Sequence, residues 1–589
     1  MSNRRSLLFA TALLLGWATA AHAEMQTFFP GTQYALDVYY LQGEKPGPTI
    51  MIQGGIQGDE YCGYLTAQLL TRAKVTRGAL IIVPRANPPS VNIRKRVVNV
   101  DMNRRFDRDY NEFYEDHLAR LVRYLLGQSQ GLIHLHEGSG FYNPVRLDDM
   151  HSPKRYGQSI VIDTAEYKNV HLAQTVRQVL ARLNDGLKPE KYRFKLFNQE
   201  TFNDRSHYLE QRKSLTYYAL SRLGIPALDI EVSKNLVGPF WSYWKVSHQM
   251  QATVLFLRKF GVELEAPAVR LEDFQAYPPR DLTVIVNGRT LDPANPFATV
   301  APDVPLDVRV QASGQHSPLE PITCVAASDR AGFNMLQAPR LPMAPFESLS
   351  VTSDGILLSK ARLSWTGVSR TPPVAAAGDL LCWLNGELKA VAPGQTLTAV
   401  EGDQLILEGI KGSARREVLN LKGYVSRPGR DDGQDAGQEI ILDPREFLPK
   451  YVVRKAQGDL LCEVVRETPG VNPRTRFSIR IVPREVRGLV LTDPSGQTLR
   501  LPWTPGKPLT LPPGSYRLTD IQSNGPAAKI QAFLNKKPVG LGKELVIDGP
   551  AELVFRQATT FTELGAMPII EPVTLDTAKK LHSTDATGG

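Results

Sequence analysis

The stretch TIMIQGGIQGDE, residues 49–60, decides how this chain is read. An apolar run stops at Gly54-Gly55, and Gln57 and Glu60 follow three positions apart. A short apolar run bounded by glycines has the pattern of a buried strand ending in a tight turn. Polar groups spaced this way at a strand end are also how a metal site begins, although such sites usually carry His where Gln57 stands. Taken alone, the segment is more simply a glycine turn.

Outward from it, residues 30 to about 262 alternate strand and helix. Strands are predicted at GPTIMIQG, GALIIVPRA, GLIHLH, QSIVID and PALDIEV. Residues 111–128 have helical spacing, with Phe113, Leu118, Leu121, Val122 and Leu125 on one face. SLTYYALSRLG and SHQMQATVLFLRKFG are further helices, each closed by Gly. Alternation of this kind predicts an α/β domain, a mixed sheet with helices on both faces. From about 280 the pattern becomes short β runs between Pro and Gly, as in LTVIVNGRTL, QLILEGI and ELVFRQ, which predicts two or three all-β sandwich-like modules in series.

The boundaries expected are 1–23 export signal, 24–270 catalytic domain, 271–370 and 371–484 β-sandwich modules, 485–560 a small β module, and 561–589 a disordered tail, with breaks near 368–376 and 484–488. The signal is read from a basic start (Arg4, Arg5), an apolar run and Ala21-His22-Ala23, a small-x-small cleavage pattern. The mature chain is expected to begin near Glu24 and to work in the periplasm. No later window is uniformly apolar over the ~18 residues a transmembrane helix needs. Lys and Arg outnumber Asp and Glu by 69 to 60 without basic runs, so nothing points to nucleic acid. Four Cys, at 62, 324, 382 and 462, are too few for a disulfide framework. Cys62 reads as a small buried residue.

Three further segments change the weight given to Gln57 and Glu60. GLIHLHEG puts His134 and His136 on one face of a strand, where one can hold a metal and the other orient it. RKRVVNVDMNRRF carries Arg94, Arg96, Asn103 and Arg104, and an Asn-Arg pair can grip a terminal carboxylate. Surface charge is the plain alternative, but valines interleave the arginines. In PALDIEV, Glu231 sits at a strand end among Leu228, Ile230 and Val232, an apolar setting that raises a carboxyl toward general-base range. All of these groups fall at or after predicted strand ends, where open α/β sheets place their ligands.

In this order the chain resembles the zinc metallocarboxypeptidases and their deacylase relatives, over residues 30–260. Gln57 in place of His makes it most similar to the cell-shape-determining peptidoglycan D,L-carboxypeptidases of helical bacteria. The resemblance implies one zinc ion held by Gln57, Glu60 and His136. It implies Glu231 as general base, Arg96 as the oxyanion donor with Arg94 as the alternative, and Asn103 with Arg104 on the substrate carboxylate. His134 is then a supporting or substrate-facing group, and Ser139 and Tyr142 line the cleft. The implied partner is a peptidoglycan muropeptide, with β-modules that bind cell wall or protein partners. Rival readings are an N-acyl amino acid deacylase, an ordinary carboxypeptidase, and a non-catalytic wall-binding protein in which Gln57 marks a lost site.

Overall fold

The structure, a computed structural model, describes residues 24–302, 304–312, 317–366, 378–413, 417–425, 433–467 and 474–571. The export signal, the break at 368–376 and residues 572–589 of the expected tail lie outside the described residues.

The N-terminal domain is built on a nine-stranded mixed sheet. Its strands are β1 (Glu24–Phe28), β2 (Leu36–Gln42), β3 (Lys45–Gln53), β4 (Lys74–Val83), β5 (Leu132–Gly138), β8 (Ser159–Ile162), β9 (Lys195–Asn198), β10 (Ala227–Ser233) and β11 (Glu263–Glu265), with β6 (Phe141–Tyr142) and β7 (His151–Ser152) forming a separate ribbon. The order is β1-β2-β4-β3-β5-β10-β8-β9, and β11 pairs with β4. The centre, β4-β3-β5-β10, is parallel, and β8 runs antiparallel to β10. Every residue of β5 is buried, as expected for a central strand covered on both faces.

Helices α1 (Tyr61–Leu70), α4 (Leu172–Leu183) and α6 (Pro239–Lys259) cover one face, with Ile133, Leu135, Leu228, Ile230 and Val232 beneath them. The other face carries α3 (Tyr114–Leu126) and α5 (Leu215–Tyr218); the short α2 (Pro88–Ile93) lies between. On α3, Leu118, Leu121, Val122 and Leu125 are fully buried and form the packed stripe, whereas Phe113, placed on it from the sequence, is the half-buried residue that caps the helix start.

The fold class is that of an α/β domain followed by all-β sheets. Sequence pattern missed β1, β2, β9 and β11, which are short or half-exposed and carry little periodicity. It also began the last long helix too late, because Pro239 at the helix start precedes the apolar face.

Six smaller sheets follow, grouped around three apolar cores. Val284, Val325 and Leu349 lie in the first, Leu380, Leu405 and Ile479 in the second, Leu489, Leu518 and Phe555 in the third. The tail expected from 561 is corrected: Glu563–Ile570 is a strand of the last sheet, with Met567 and Ile569 buried in its core. Its alternation is masked by Gly565 and Pro568, which is why the segment reads as a polar end. All four cysteines are free and buried. Among the described residues no helix is long and apolar enough to cross a membrane.

The β-modules pack on the N-terminal α/β domain rather than trailing from it. The segment after β1 touches all three. Gln33 Nε2 donates to the Asn334 carbonyl (3.0 Å), Gln404 Nε2 to the Gly31 carbonyl (2.8 Å), and Tyr34 Oη to the Thr559 carbonyl (2.7 Å). Phe28 lies 6.0 Å from Phe561, ring to ring.

Glu439 accepts from the Gln33 amide in this seam, and burial pushes its carboxyl from 4.5 up to about 7. The folded chain therefore keeps a proton there that the unfolded chain loses. Its share of stability falls as pH rises from the unfolded value through about 7. Glu439→Gln should remove that share of the slope. Its melting temperature relative to the parent chain should rise between about pH 5 and about pH 8. A difference that stays constant over this range would contradict the assignment.

Candidate active site and metal centre

Gln57 and Glu60 sit on the turn from β3 into α1, and the glycines there are required by close approach. Gly55 has φ +65°, and a Cβ on Gly58 would lie 1.9 Å from the Ser90 carbonyl oxygen. The turn presses Gln57 (2 % exposed) and Glu60 (4 %) into the end of the sheet. His136 and Glu231 arrive from β5 and β10, where they are direct partners in the parallel register.

The Gln57 amide is held at both ends. Arg96 Nη1 donates to its Oε1 (2.8 Å), and its Nε2 donates to Asp101 Oδ1 (3.2 Å). Asp101 thereby fixes the amide with its oxygen toward Arg96. The same Arg96 nitrogen lies 3.6 Å from Glu60 Oε1, and Lys234 Nζ lies 3.4 Å from that oxygen. Glu60 Oε2 lies 2.7 Å from His136 Nδ1. Behind the site, the buried Lys245–Glu137 pair (2.5 Å) and the Cys62 amide on Glu137 hold α1 and α6 against β5. Gln249 Nε2 donates to the carbonyls of His136 (3.0 Å) and Ile230 (2.9 Å), locking β5 to β10 at this level.

Electrostatics follow from this packing. Burial opposes charge on His136, but the Glu60 carboxylate overrides it and holds the imidazole up at about 9. Burial would likewise raise Glu60, yet His136 holds it down at about 2. Burial, helped by the Glu60 and Asp229 carboxylates, pushes Glu231 to about 8. His134 is driven down to about 4 by burial and by the charge on His136. One buried carboxylate ionised and a second held near neutrality is the division of labour expected where acid–base chemistry is done.

The donor set fits a cation. Two oxygens, from Gln57 and Glu60, converge on one cationic nitrogen, and an imidazole nitrogen meets the same carboxylate. His134, His136 and Asp229 form a second set, with ligand atoms within 4.8 Å of one another. His136 is common to both, offering Nδ1 to the first and Nε2 to the second. A catalytic metal needs an open coordination position. The first set opens toward Arg96, whose side chain is 46 % exposed, whereas His134 is fully enclosed. His117, Asp443 and Glu446 also cluster, but His117 Nε2 is spent on Glu446 (2.8 Å) and Asp443 on Arg445.

Of the other residues singled out in the sequence, Asn103 is buried, its Oδ1 accepting from the Leu215 amide (3.1 Å), and Arg104 Nη1 donates to the Asn103 carbonyl (2.8 Å). Arg94 departs from the expectation. It takes a left-handed conformation (φ 50°) at the end of α2 and stacks on the Tyr61 ring at 5.3 Å, away from Gln57. That choice between Arg94 and Arg96 depends on the turn, which sequence does not specify. Tyr142 stacks on Phe197 at 4.1 Å, and Ser139 lies by Arg155. Asp101, Asp229 and Lys234 were missed, since an isolated acid or lysine gives no sequence signal. A cavity of about 980 Å³ lies elsewhere, between the N-terminal α/β domain and the first β-module near Arg85 and Tyr277.

Residues 35–267 match the family described as carboxypeptidase controlling helical cell shape, catalytic. That segment is similar to this family. It contains Gln57, Glu60, Arg96, Asn103, Arg104, His134, His136 and Glu231. The chain is also 34 % identical over 99 residues to the N-alpha-acetyl-L-2,4-diaminobutyric acid deacetylase of Halomonas elongata. That alignment spans 16 % of this chain and 29 % of the relative's length. Among solved structures, the mDAP-bound form of Helicobacter pylori Csd4, described as a D,L-carboxypeptidase, matches with TM-score 0.42 and 19 % identity, over 74 % of this chain and 97 % of that one. A succinylglutamate desuccinylase/aspartoacylase from Rhodobacter sphaeroides matches with TM-score 0.30 and 17 % identity, over 44 % and 70 %.

Proposed function

We propose that the protein is an exported, zinc-dependent carboxypeptidase that trims peptidoglycan stem peptides in the periplasm. It releases meso-diaminopimelate from L-Ala-γ-D-Glu-meso-diaminopimelate and leaves the dipeptide. The observation that carries this reading is that Gln57 and Glu60, linked through Arg96, meet His136, the direct register partner of Glu231, within a segment that matches the cell-shape carboxypeptidase family.

Gln57, Glu60 and His136 would hold the metal, which when bound polarises the scissile carbonyl and makes water a stronger nucleophile. Glu231 takes the proton of the attacking water and returns it to the leaving amine. Arg96, freed from Gln57 Oε1, donates to the oxygen on which charge develops. Asn103 and Arg104 hold the free carboxylate of the substrate, which restricts cleavage to the chain end.

Purified mature protein is incubated with disaccharide tri-, tetra- and pentapeptides, with zinc and then with chelator. Tripeptide should become dipeptide, and only when metal is present. No cleavage by the zinc-loaded protein would remove the peptidase reading and favour the deacylase one, to which the diaminobutyrate deacetylase match lends support. Two variants sharpen the test. Gln57→Ala should weaken metal affinity by at least the about 10–100-fold that loss of an outer support causes, read as metal content after dialysis. Gln57→His should keep the metal and most of the activity. Arg96→Ala should lower kcat by about 10²–10³-fold, as for other lost oxyanion donors, with little change in metal content.

A further inference from the structure

The first β-module reaches into the N-terminal domain with the tip of one hairpin. Its strands, Ser348–Ser353 and Ile356–Trp365, pair antiparallel with Ser353 opposite Ile356, so Asp354 and Gly355 alone make the turn. Both have positive φ, 41° and 72°, the backbone of a type I′ turn and the reason for Asp-Gly here. Two further hairpins of the modules turn in the same way, at Asn287-Gly288 and Asn385-Gly386. A Cβ on Gly288 or Gly386 would have nothing within 4 Å. A Cβ on Gly355 would run into Arg94 Cγ and lie 2.8 Å from the Val91 carbonyl oxygen and 3.0 Å from that of Asn92. Turn chemistry accounts for glycine at all three positions; at 355 the missing side chain also makes room for the end of α2.

What the tip touches leads to the candidate site. Asp354 is buried and accepts from Arg85 and Tyr277, which anchors the tip beside α2. The Arg94 amide donates to the Val91 carbonyl (3.0 Å), and Arg94 itself is left-handed, a strained state for a residue with a Cβ. Such a state persists where its surroundings over-determine it. Here Gly355 lies against the Arg94 stem, and the Tyr61 ring lies under its guanidinium. The reversal at Arg94 turns Lys95 back to Ser90, where its amide donates to the Ser90 carbonyl (3.2 Å). The Gly58 amide donates in turn to Ser90 Oγ (2.9 Å) and to the Lys95 carbonyl (3.1 Å). Gly58 is the neighbour of Gln57, and Arg96, the residue after Lys95, donates to the Gln57 amide oxygen. A packed path thus runs from Gly355 through Arg94 and the Ser90–Lys95 loop to the Arg96–Gln57 contact.

We infer that Gly355 of the first β-module is a positioning residue for the candidate active site, seating α2 and Arg94 so that Arg96 stands where oxyanion charge develops. The inference rests on the role given above to Arg96 and extends the site to a module outside the α/β domain. Gly355 acts through Arg96 and has no contact of its own with Gln57, Glu60 or His136. A catalytic group misplaced by about 1 Å costs about 10²-fold in rate, so the backbone shift that admits one methyl group at 355 is large enough to be read in turnover. Coupling along such a path is established by measuring it between the two ends, here Gly355 and Arg96.

The zinc-loaded full chain is compared with Gly355→Ala, Gly355→Asn and Gly386→Ala on the disaccharide tripeptide. Asn adopts positive φ more readily than Ala, so it adds the Cβ with less backbone strain. Gly386→Ala adds the strain with no neighbour to displace. Both Gly355 variants should lose kcat by about 10–100-fold with KM and metal content near the parent's, and Gly386→Ala should keep the parent's kcat. In an Arg96→Ala background, Gly355→Asn should change kcat by less than about twofold, because the group it positions is gone. A role in folding alone would give the same loss in both backgrounds, and that result overturns the inference. So would parental kcat in the folded Gly355 variants, or Gly355 variants that fail to fold while Gly386→Ala folds. If the parent cleaves no muropeptide, the carboxypeptidase reading fails by itself, and hydrogen exchange over residues 90–96 decides the positioning separately. Gly355→Asn should speed exchange there by about tenfold, and protection equal to the parent's would overturn the inference.

Discussion

Glu231→Ala should lower kcat by about 10²–10⁴-fold while the protein keeps its metal. The carboxyl is 8 % exposed, lies beside His136 in the β5–β10 register, and has an unpartnered Oε2. Burial holds it near pKa 8, so it exchanges a proton easily near neutral pH. None of the three proposed ligands depends on it for a hydrogen bond in this structure, so its loss should remove proton transfer and leave binding in place. Turnover on tripeptide and metal content per chain, measured on the same sample, give the answer. Undiminished kcat would take the general-base role from Glu231. Loss of metal together with activity would instead make it part of the metal centre.

Arg85→Ala should be the most destabilising of the substitutions considered, by about 3–5 kcal/mol, the range for breaking one side of a buried ion pair. Arg85 Nε and Nη2 donate to both oxygens of Asp354 (3.0 and 2.8 Å), with side chains 6 % and 0 % exposed. Its Nη1 donates to Gln68 Oε1 (2.7 Å), and Nη2 donates also to the Leu319 carbonyl (2.9 Å). Tyr277 Oη and the Ile322 amide also donate to Asp354. The pair therefore ties the end of β4 to the first β-module, and truncating Arg85 leaves a buried carboxylate without its cation. Thermal and denaturant unfolding would show the loss as a lowered midpoint. An apolar double variant, Arg85→Met with Asp354→Leu, should recover part of it, since removing both charges avoids the unpaired carboxylate. If the single variant unfolds with the parent, the first module is held by its apolar contacts and the pair adds nothing.

The α/β class of the first half was legible because β3, β4, β5 and β10 are buried apolar runs and α3 carries an unbroken apolar stripe. The candidate site was legible where chemistry-bearing residues stand at the ends of such runs: Gln57 and Glu60 after β3, His134 and His136 in β5, Glu231 in β10. The β modules were legible as a class from short runs between Pro and Gly. The strand at Glu563–Ile570 was not, because Gly565 and Pro568 interrupt its alternation.

Sequence by itself thus determined the order of elements and the residue types brought to the end of the sheet, since both follow from local periodicity and the residues bounding each strand. Tertiary structure alone decided which arginine reaches Gln57. A left-handed turn at Arg94 sends that side chain to Tyr61 and brings Arg96 to the amide. It alone decided that Asp101 orients Gln57 and that Lys234 backs Glu60. It alone decided that the modules are fastened through Arg85 and the segment around Tyr34. These are pairings between residues far apart in the chain. Their partners are set by strand register and packing, which no local pattern encodes.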